Sequence, residues 1–333
     1  MRCAPLKKLL CVIMALALAA ALCACSAAHE PSGGDGRLRI TATVFPIYDW
    51  TRNVIGDDGR AELSLLLDGS TDLHSYQASA RDILEISSCD VLIYVGGESD
   101  EWIEDALGLA DNDGMVVLKL IDLLGDRVKE EESVEGMKSS AGIFGRTDEE
   151  EPEADEHIWL SLRNAEVLVD AISGALQELV PESADTYRTN AQAYIEKLRA
   201  LDGEYSQAVE NASCRTLIFG DRFPFRYLVD DYGLSYYAAF AGCSAETEAS
   251  FETIVFLADK ADELSVPAVL AIDGGDGRVA ATVAGNARSA SPRVLTLDSM
   301  QSVSAKDIRN GFTYLSVMES DLAVLKEALG AGE

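Results

Sequence analysis

The chain contains only three histidines, His29, His74 and His157, and two of them stand in company that suits metal coordination. His74 lies in Gly-Ser-Thr-Asp-Leu-His-Ser-Tyr and His157 in Asp-Glu-His-Ile-Trp-Leu, neither of them within an apolar run. A neutral imidazole offers one ring nitrogen to a first-row divalent cation, and carboxylate oxygens supply the compensating charge. In open α/β sheets ligands bind beyond the carboxyl ends of the strands, so polar residues that follow predicted strands are the candidates to survey. His74 follows the run Ala-Glu-Leu-Ser-Leu-Leu-Leu, Gly220-Asp221 follows Arg-Thr-Leu-Ile-Phe, and Asp273 follows Pro-Ala-Val-Leu-Ala-Ile. Two histidines from the first half and two aspartates from the second would meet in a cleft and neutralise a divalent ion. Oxygen donors tilt such a set toward manganese, while the imidazoles keep zinc open. Alternative roles remain for the carboxylates: Asp221 caps a turn or pairs with Arg222 or Arg226, and Asp273 is a turn residue of Asp-Gly-Gly-Asp-Gly. Glu246 and Glu248 are the substitutes if Asp221 is not a ligand.

The elements that must position these residues are legible as apolar runs. Strands are predicted at 38–44, 61–67, 91–95 and 115–119, and again at 215–219, 235–240, 267–272 and 293–297, with helical patterns between them. Alternation of this kind indicates parallel sheets with helices on their faces. Between Ser183 and Ala212 the residues Tyr187, Ala191, Tyr194, Leu198, Leu201, Tyr205 and Val209 recur at helical spacing without a proline, which predicts one long amphipathic helix. The fold class is therefore α/β: two similar lobes, each a mainly parallel sheet flanked by helices, linked by one long backbone helix. The expected divisions are an N-terminal lobe over 38–180, the linking helix over 181–212 and a C-terminal lobe over 213–333. An acidic loop at 126–156 interrupts the first lobe. Residues 126–157 hold twelve acidic and four basic side chains with little apolar periodicity, which reads as a solvated insertion for most of its length.

The N-terminus reads as a targeting segment. Arg2, Lys7 and Lys8 precede a short apolar run that ends at Leu22-Cys23-Ala24-Cys25, the layout of a signal peptide over 1–24. The Leu-x-Ala-Cys ending resembles a bacterial lipobox, in which Cys25 becomes the lipidated first residue, and 25–37 then forms a flexible tether. The formal charge is −30. Removing 1–24, with three basic and no acidic side chains, takes it to −33. A polyanion of this size is a poor partner for nucleic acid or a bare anionic membrane surface. Beyond Cys25 only Cys89, Cys214 and Cys243 remain. They permit one disulfide with one thiol left over, with no pairing specified. Scattered and without a C-x-x-C, they do not read as a cysteine metal site.

Several further segments carry a resemblance. Thr-Ala-Thr-Val-Phe-Pro-Ile-Tyr-Asp-Trp from Thr41, Asp72-Leu73-His74, Tyr-Val-Gly-Gly-Glu-Ser-Asp-Glu-Trp at 94–102, Glu156-His157-Ile158-Trp159, Cys-Ser-Ala-Glu-Thr-Glu-Ala-Ser from Cys243 and the closing Phe-Thr-Tyr-Leu-Ser-Val-Met-Glu-Ser from Phe312 occur in one order over 38–329. Together they resemble the cluster A-I (ZnuA-like) zinc and manganese substrate-binding lipoproteins of bacterial ABC transporters. The resemblance implies two α/β lobes on a rigid backbone helix and a divalent cation, Zn²⁺ or Mn²⁺, held between them. It also implies a lipid-anchored, extracytoplasmic monomer that serves an ABC permease. Carried over by position, the family's first two histidine ligands fall on His74 and His157. The third falls at Gly220 or Asp221, of which only Asp221 has a ligating side chain, and the fourth falls on Asp273. This sequence departs from the family in lacking the third histidine and in having a glutamate-rich loop where zinc members are often histidine-rich.

Neither H-E-x-x-H nor G-x-S-x-G is present, so the sequence reads as a binding protein and not an enzyme. Imidazoles must be neutral to coordinate, so metal affinity is expected to fall as the pH drops below about 6.5. Calorimetric titration with each ion at several pH values measures this; an affinity independent of pH contradicts it.

Overall fold

The computed structural model describes residues 36–331, except 70, 111, 113, 138–152, 244–247, 289 and 290. The segment 1–24, Cys25 and Glu246 lie outside the described residues. In the first lobe β1 (Leu38–Ala42), β2 (Ala61–Leu65), β3 (Val91–Tyr94) and β4 (Val116–Lys119) form a parallel sheet in the order β2-β1-β3-β4. In the second, β5 (Thr216–Phe223), β6 (Ser235–Ala241), β7 (Ala268–Ile272) and β8 (Arg293–Leu297) repeat it as β6-β5-β7-β8. β3 and β7 are buried at every position. Helices cover both faces of such a sheet, which is why these strands read as unbroken apolar runs and not as alternation. Each strand order reverses between its two central strands.

The helices between strands are α1 (Phe45–Ile55), α2 (Ala80–Ser88), α3 (Glu101–Leu107), α4 (Leu120–Leu124) and α5 (Leu162–Leu179) in the first lobe. The linking helix α6 runs Ala184–Glu210, 27 residues and so about 40 Å long at 1.5 Å per residue. Its buried face carries the seven residues singled out by their spacing. At one end the Tyr187 hydroxyl donates to Asp58 (2.7 Å), and at the other the Tyr205 hydroxyl donates to the Met318 carbonyl (2.6 Å). The second lobe adds α7 (Arg226–Tyr232), α8 (Phe251–Leu264), α9 (Arg278–Asn286), α10 (Ala305–Arg309) and α11 (Tyr314–Ala328). One apolar core runs from Leu38 in β1 through α6 to Leu325 in α11, so the lobes share that interior, and a second cluster that includes Ile218, Leu257, Val269 and Val283 belongs to the second lobe.

Hydrogen bonds lock the lobes across that core. Trp159 Nε1 donates to the Ser299 carbonyl (2.8 Å), and the Tyr314 hydroxyl donates to the Trp159 carbonyl (2.6 Å). Asp49 is the hub. Fully buried in α1, its carboxylate accepts from the Tyr314 amide (3.1 Å), the Tyr194 hydroxyl (3.3 Å) and the Arg52 guanidinium (2.5 Å). Burial raises its pKa, opposed by the charge of Arg52 and by these donors. Cys89, Cys214 and Cys243 are all free thiols. Among the described residues no helix is long and apolar enough to cross a membrane.

Removing the Asp49 carboxylate leaves the buried Tyr314 amide and Tyr194 hydroxyl without their acceptor, at about 1–3 kcal/mol. Asp49→Ala is therefore expected to destabilise the protein by about 2 kcal/mol and Asp49→Asn by less, read from urea unfolding midpoints. Equal midpoints for Asp49→Ala and the parent protein would remove Asp49 from this role.

Candidate metal centre

His74 sits on a single 3₁₀ turn, Leu73–Ser75, reached by the chain soon after β2. Asp72 caps the turn by accepting the His74 amide on Oδ1 (3.0 Å), the role that favours Asp before a helical start. Its other oxygen, Oδ2, accepts from Arg222 Nη2 of the second lobe at 2.6 Å. One residue thus shapes the histidine's turn and ties it to the opposite wall. His157 caps the 3₁₀ turn Ile158–Leu160 and is wholly buried. Asp155 Oδ1 accepts both its backbone amide and its ring Nδ1, each at 2.8 Å.

The two rings meet at their Nε2 atoms, 3.1 Å apart. A carboxylate only accepts, so the neutral His157 ring carries its proton on Nδ1 and turns a lone pair inward from Nε2. On His74, Nδ1 lies 2.8 Å from Ser99 Oγ, a hydroxyl that both donates and accepts. Ser99 is itself placed by Glu156, whose Oε1 accepts the Ser99 amide at 2.6 Å. The Gly-Gly of 96–97 makes room for that contact: a Cβ on Gly97 would stand 2.2 Å from Glu156 Cγ. Gln301 Nε2 lies 2.8 Å from His74 Nε2 and 2.7 Å from His157 Nε2, so its amide donates to both lone pairs. Neutral imidazoles oriented by partners on the far ring nitrogen are the arrangement of metal-bound histidines. Burial and the charge of His157 push the His74 pKa down to about 3. Burial opposes protonation of His157 too, but Asp155 and Glu156 outweigh it and raise its pKa. Proton competition between the two imidazoles therefore falls on His157.

The expected ligand set divides here. Asp221 and Asp273 line the same cavity as His74, about 600 Å³ in volume. Strand β5 does not stop at Phe219 as predicted; it continues through a register shift between Phe219 and Arg222, a bulge that re-aims the side chains within it. Asp221 consequently accepts the Arg222 amide (2.9 Å) and the Ile272 amide (3.3 Å). Asp273 accepts the amide and hydroxyl of Ser299, both at 2.6 Å, and the Ser302 hydroxyl at 3.3 Å. Both carboxylates are engaged within their own lobe. Among the described residues, the one group of three or more His, Cys, Asp or Glu ligand atoms lying within 4.8 Å of one another is His74, His157 and Cys243. Glu248 is exposed.

Sequence reasoning missed Cys243 and Gln301. Cys243 opens one of the segments that carry the resemblance, but as one of three scattered cysteines it does not read as a ligand; it follows β6, and Gln301 follows Met300, a non-glycine residue with φ of +59°. The described ends of the acidic loop make specific contacts. They pair with each other through Glu130 and Ala154 and strap to the second lobe, where Lys129 pairs with Asp230, Glu132 with Arg226, and the Cys243 amide donates to Glu131 Oε1 (3.1 Å).

A model of the family described as zinc-uptake complex component A, periplasmic, matches residues 40–328. The zinc-binding lipoprotein AdcA of Streptococcus pneumoniae is 29% identical over 321 residues, which cover 96% of this chain and 61% of the relative; the chain thus spans about three-fifths of the length of that protein. The high-affinity zinc uptake system protein ZnuA of Bacillus subtilis is 26% identical over 322 residues, 96% of each chain. Among solved structures, the Zn(II)-bound ZnuA-like domain of S. pneumoniae AdcA superposes with a TM-score of 0.68 at 27% identity, covering 88% of this chain and 99% of that one. The order of the two sheets, the long helix between them and this match over nearly the whole globular region agree: the chain belongs to the zinc-uptake complex component A family.

Proposed function

We propose that this protein captures a divalent cation, zinc or manganese, in the cleft between its lobes and delivers it to an ABC importer, working outside the cytoplasm as a monomer anchored through lipidated Cys25. The observation that carries this reading is the convergence of two pre-oriented Nε2 atoms on one point in the protein interior. Bringing those atoms together without a cation serves no structural end, because the same burial could be satisfied by apolar side chains. His74 and His157 bind the ion directly. Asp221 and Asp273 carry negative charge on the wall of the adjoining cavity, through which a cation enters. The Asp72–Arg222 pair closes the lobes over it. In this reading the protein acts as a carrier of the ion.

His74→Ala and His157→Ala are each expected to abolish high-affinity binding while leaving the far-ultraviolet dichroism unchanged. Elemental analysis of protein purified without added metal, with competition against a chromophoric chelator, measures the loss; full retention of metal by either variant removes that residue from the site. Asp155→Ala is expected to weaken binding by about 10- to 100-fold, the usual cost of losing the partner that orients a ligating histidine. An affinity equal to that of the parent protein would reduce Asp155 to a folding role.

A further inference from the structure

The second lobe has to supply the remaining donors, and the structure narrows which residues can. Gly220 stands where the resemblance puts the third histidine, yet a Cβ there would lie 2.3 Å from Cα of Ala280 in α9. No imidazole fits unless that helix moves. Asp221 has its oxygens turned to two backbone amides, and Asp273 is held by Ser299 and Ser302. Cys243 alone among the second lobe's His, Cys, Asp and Glu side chains, within the described residues, brings its donor atom within 4.8 Å of both His74 and His157.

The backbone is built to hold it there. The turn after β6 runs so close to His157 that a Cβ on Gly242 would lie 3.1 Å from the imidazole Cε1 and 2.9 Å from the Phe223 carbonyl. Glycine permits that approach, and the next residue arrives beside the ring. The Cys243 amide is fixed by Glu131 of the first lobe, so both lobes set the position of the sulfur. The other two thiols point elsewhere, to the backbone carbonyls of Ile86 for Cys89 and Thr216 for Cys214.

We infer that Cys243 is the ligand the second lobe gives to the ion, making the cargo site a set of two imidazoles and one thiolate that selects zinc over manganese. This rests on the carrier reading above. Around tetrahedral zinc, bonds of about 2.0–2.1 Å to nitrogen and 2.3 Å to sulfur put these donors roughly 3.3–3.6 Å apart. The present spacing of 3.1 Å between the nitrogens, with sulfur no more than 4.8 Å from either, reaches that geometry through small side-chain rotations. Gln301, whose amide now bridges the two nitrogens, is the group the entering ion displaces. Thiolate and imidazole suit zinc, whereas manganese prefers carboxylate, carbonyl and water and binds N/O/S sites most weakly in the divalent series. The tilt toward manganese that two aspartate ligands would impart is thereby reversed.

The test uses the mature chain under reducing conditions, loaded with Co²⁺ as a spectroscopic stand-in for zinc, beside competition titrations with Zn²⁺ and Mn²⁺. The parent protein and Cys214→Ser are expected to display the intense near-ultraviolet thiolate-to-cobalt charge-transfer band. Cys243→Ser is expected to lose that band and to lose more than about 100-fold in zinc affinity, beyond the usual cost of an orienting partner, with a much smaller change for manganese. Cobalt bound by the parent protein without the band, or an unaltered zinc-to-manganese ratio in Cys243→Ser, overturns the assignment of Cys243 while leaving the carrier reading intact. Failure of the parent protein to bind any of the three ions overturns both.

Discussion

Two imidazole lone pairs facing each other 3.1 Å apart inside a protein form an arrangement that has to be imposed. Each ring would relax by rotating, and each is held in place by partners on its outer nitrogen. Asp155 holds His157 by ring and backbone together, and Ser99, backed by Glu156, holds His74. Burial keeps the His74 ring neutral far below its ordinary range. In a low-dielectric interior the same lack of solvent that makes unpaired polar groups costly makes a correctly placed cation strongly favourable. The Gln301 amide, donating to both nitrogens, satisfies the lone pairs until then.

Rigidity elsewhere gives this arrangement its precision. The ligand turns hang from a frame in which α6 anchors a tyrosine in each lobe, and Asp49 joins α1, α6 and the start of α11 at one buried carboxylate. Trp159, two residues beyond His157, donates across to Ser299 and has its carbonyl bound by Tyr314. The position of His157 is therefore determined by both lobes, even though its sequence neighbourhood belongs to the first. Ser299 in turn holds Asp273, so the aspartate expected to reach the ion is built into the same interlobe framework.

Close approach of backbone decides what the second lobe contributes. At Gly220 the chain packs directly on α9, and at Gly242 it packs directly on His157. The first contact excludes a side chain from one wall of the cleft, and the second delivers Cys243 to another. The acidic segment participates through its described ends, which pair with one another and with α7, so part of the large negative charge serves as a strap that positions the site.

Local pattern alone determined the strands, the long helix with its buried face, the α/β class and the two histidines, because apolar periodicity and rare residue types are properties of short stretches of chain. Asp221 and Asp273 were legible as strand-end carboxylates for the same reason, but whether such a group faces an ion or its own backbone depends on the register of the strand that carries it. The bulge in β5 and the loop after β8 give both carboxylates partners in their own lobe, and neither leaves a mark in the residues themselves. Cys243 and Gln301 follow β6 and β8, and they come to the histidines only when the two sheets pack on one core. Their distances to His157 span 86 and 144 residues of sequence, a separation across which only tertiary packing can specify a contact.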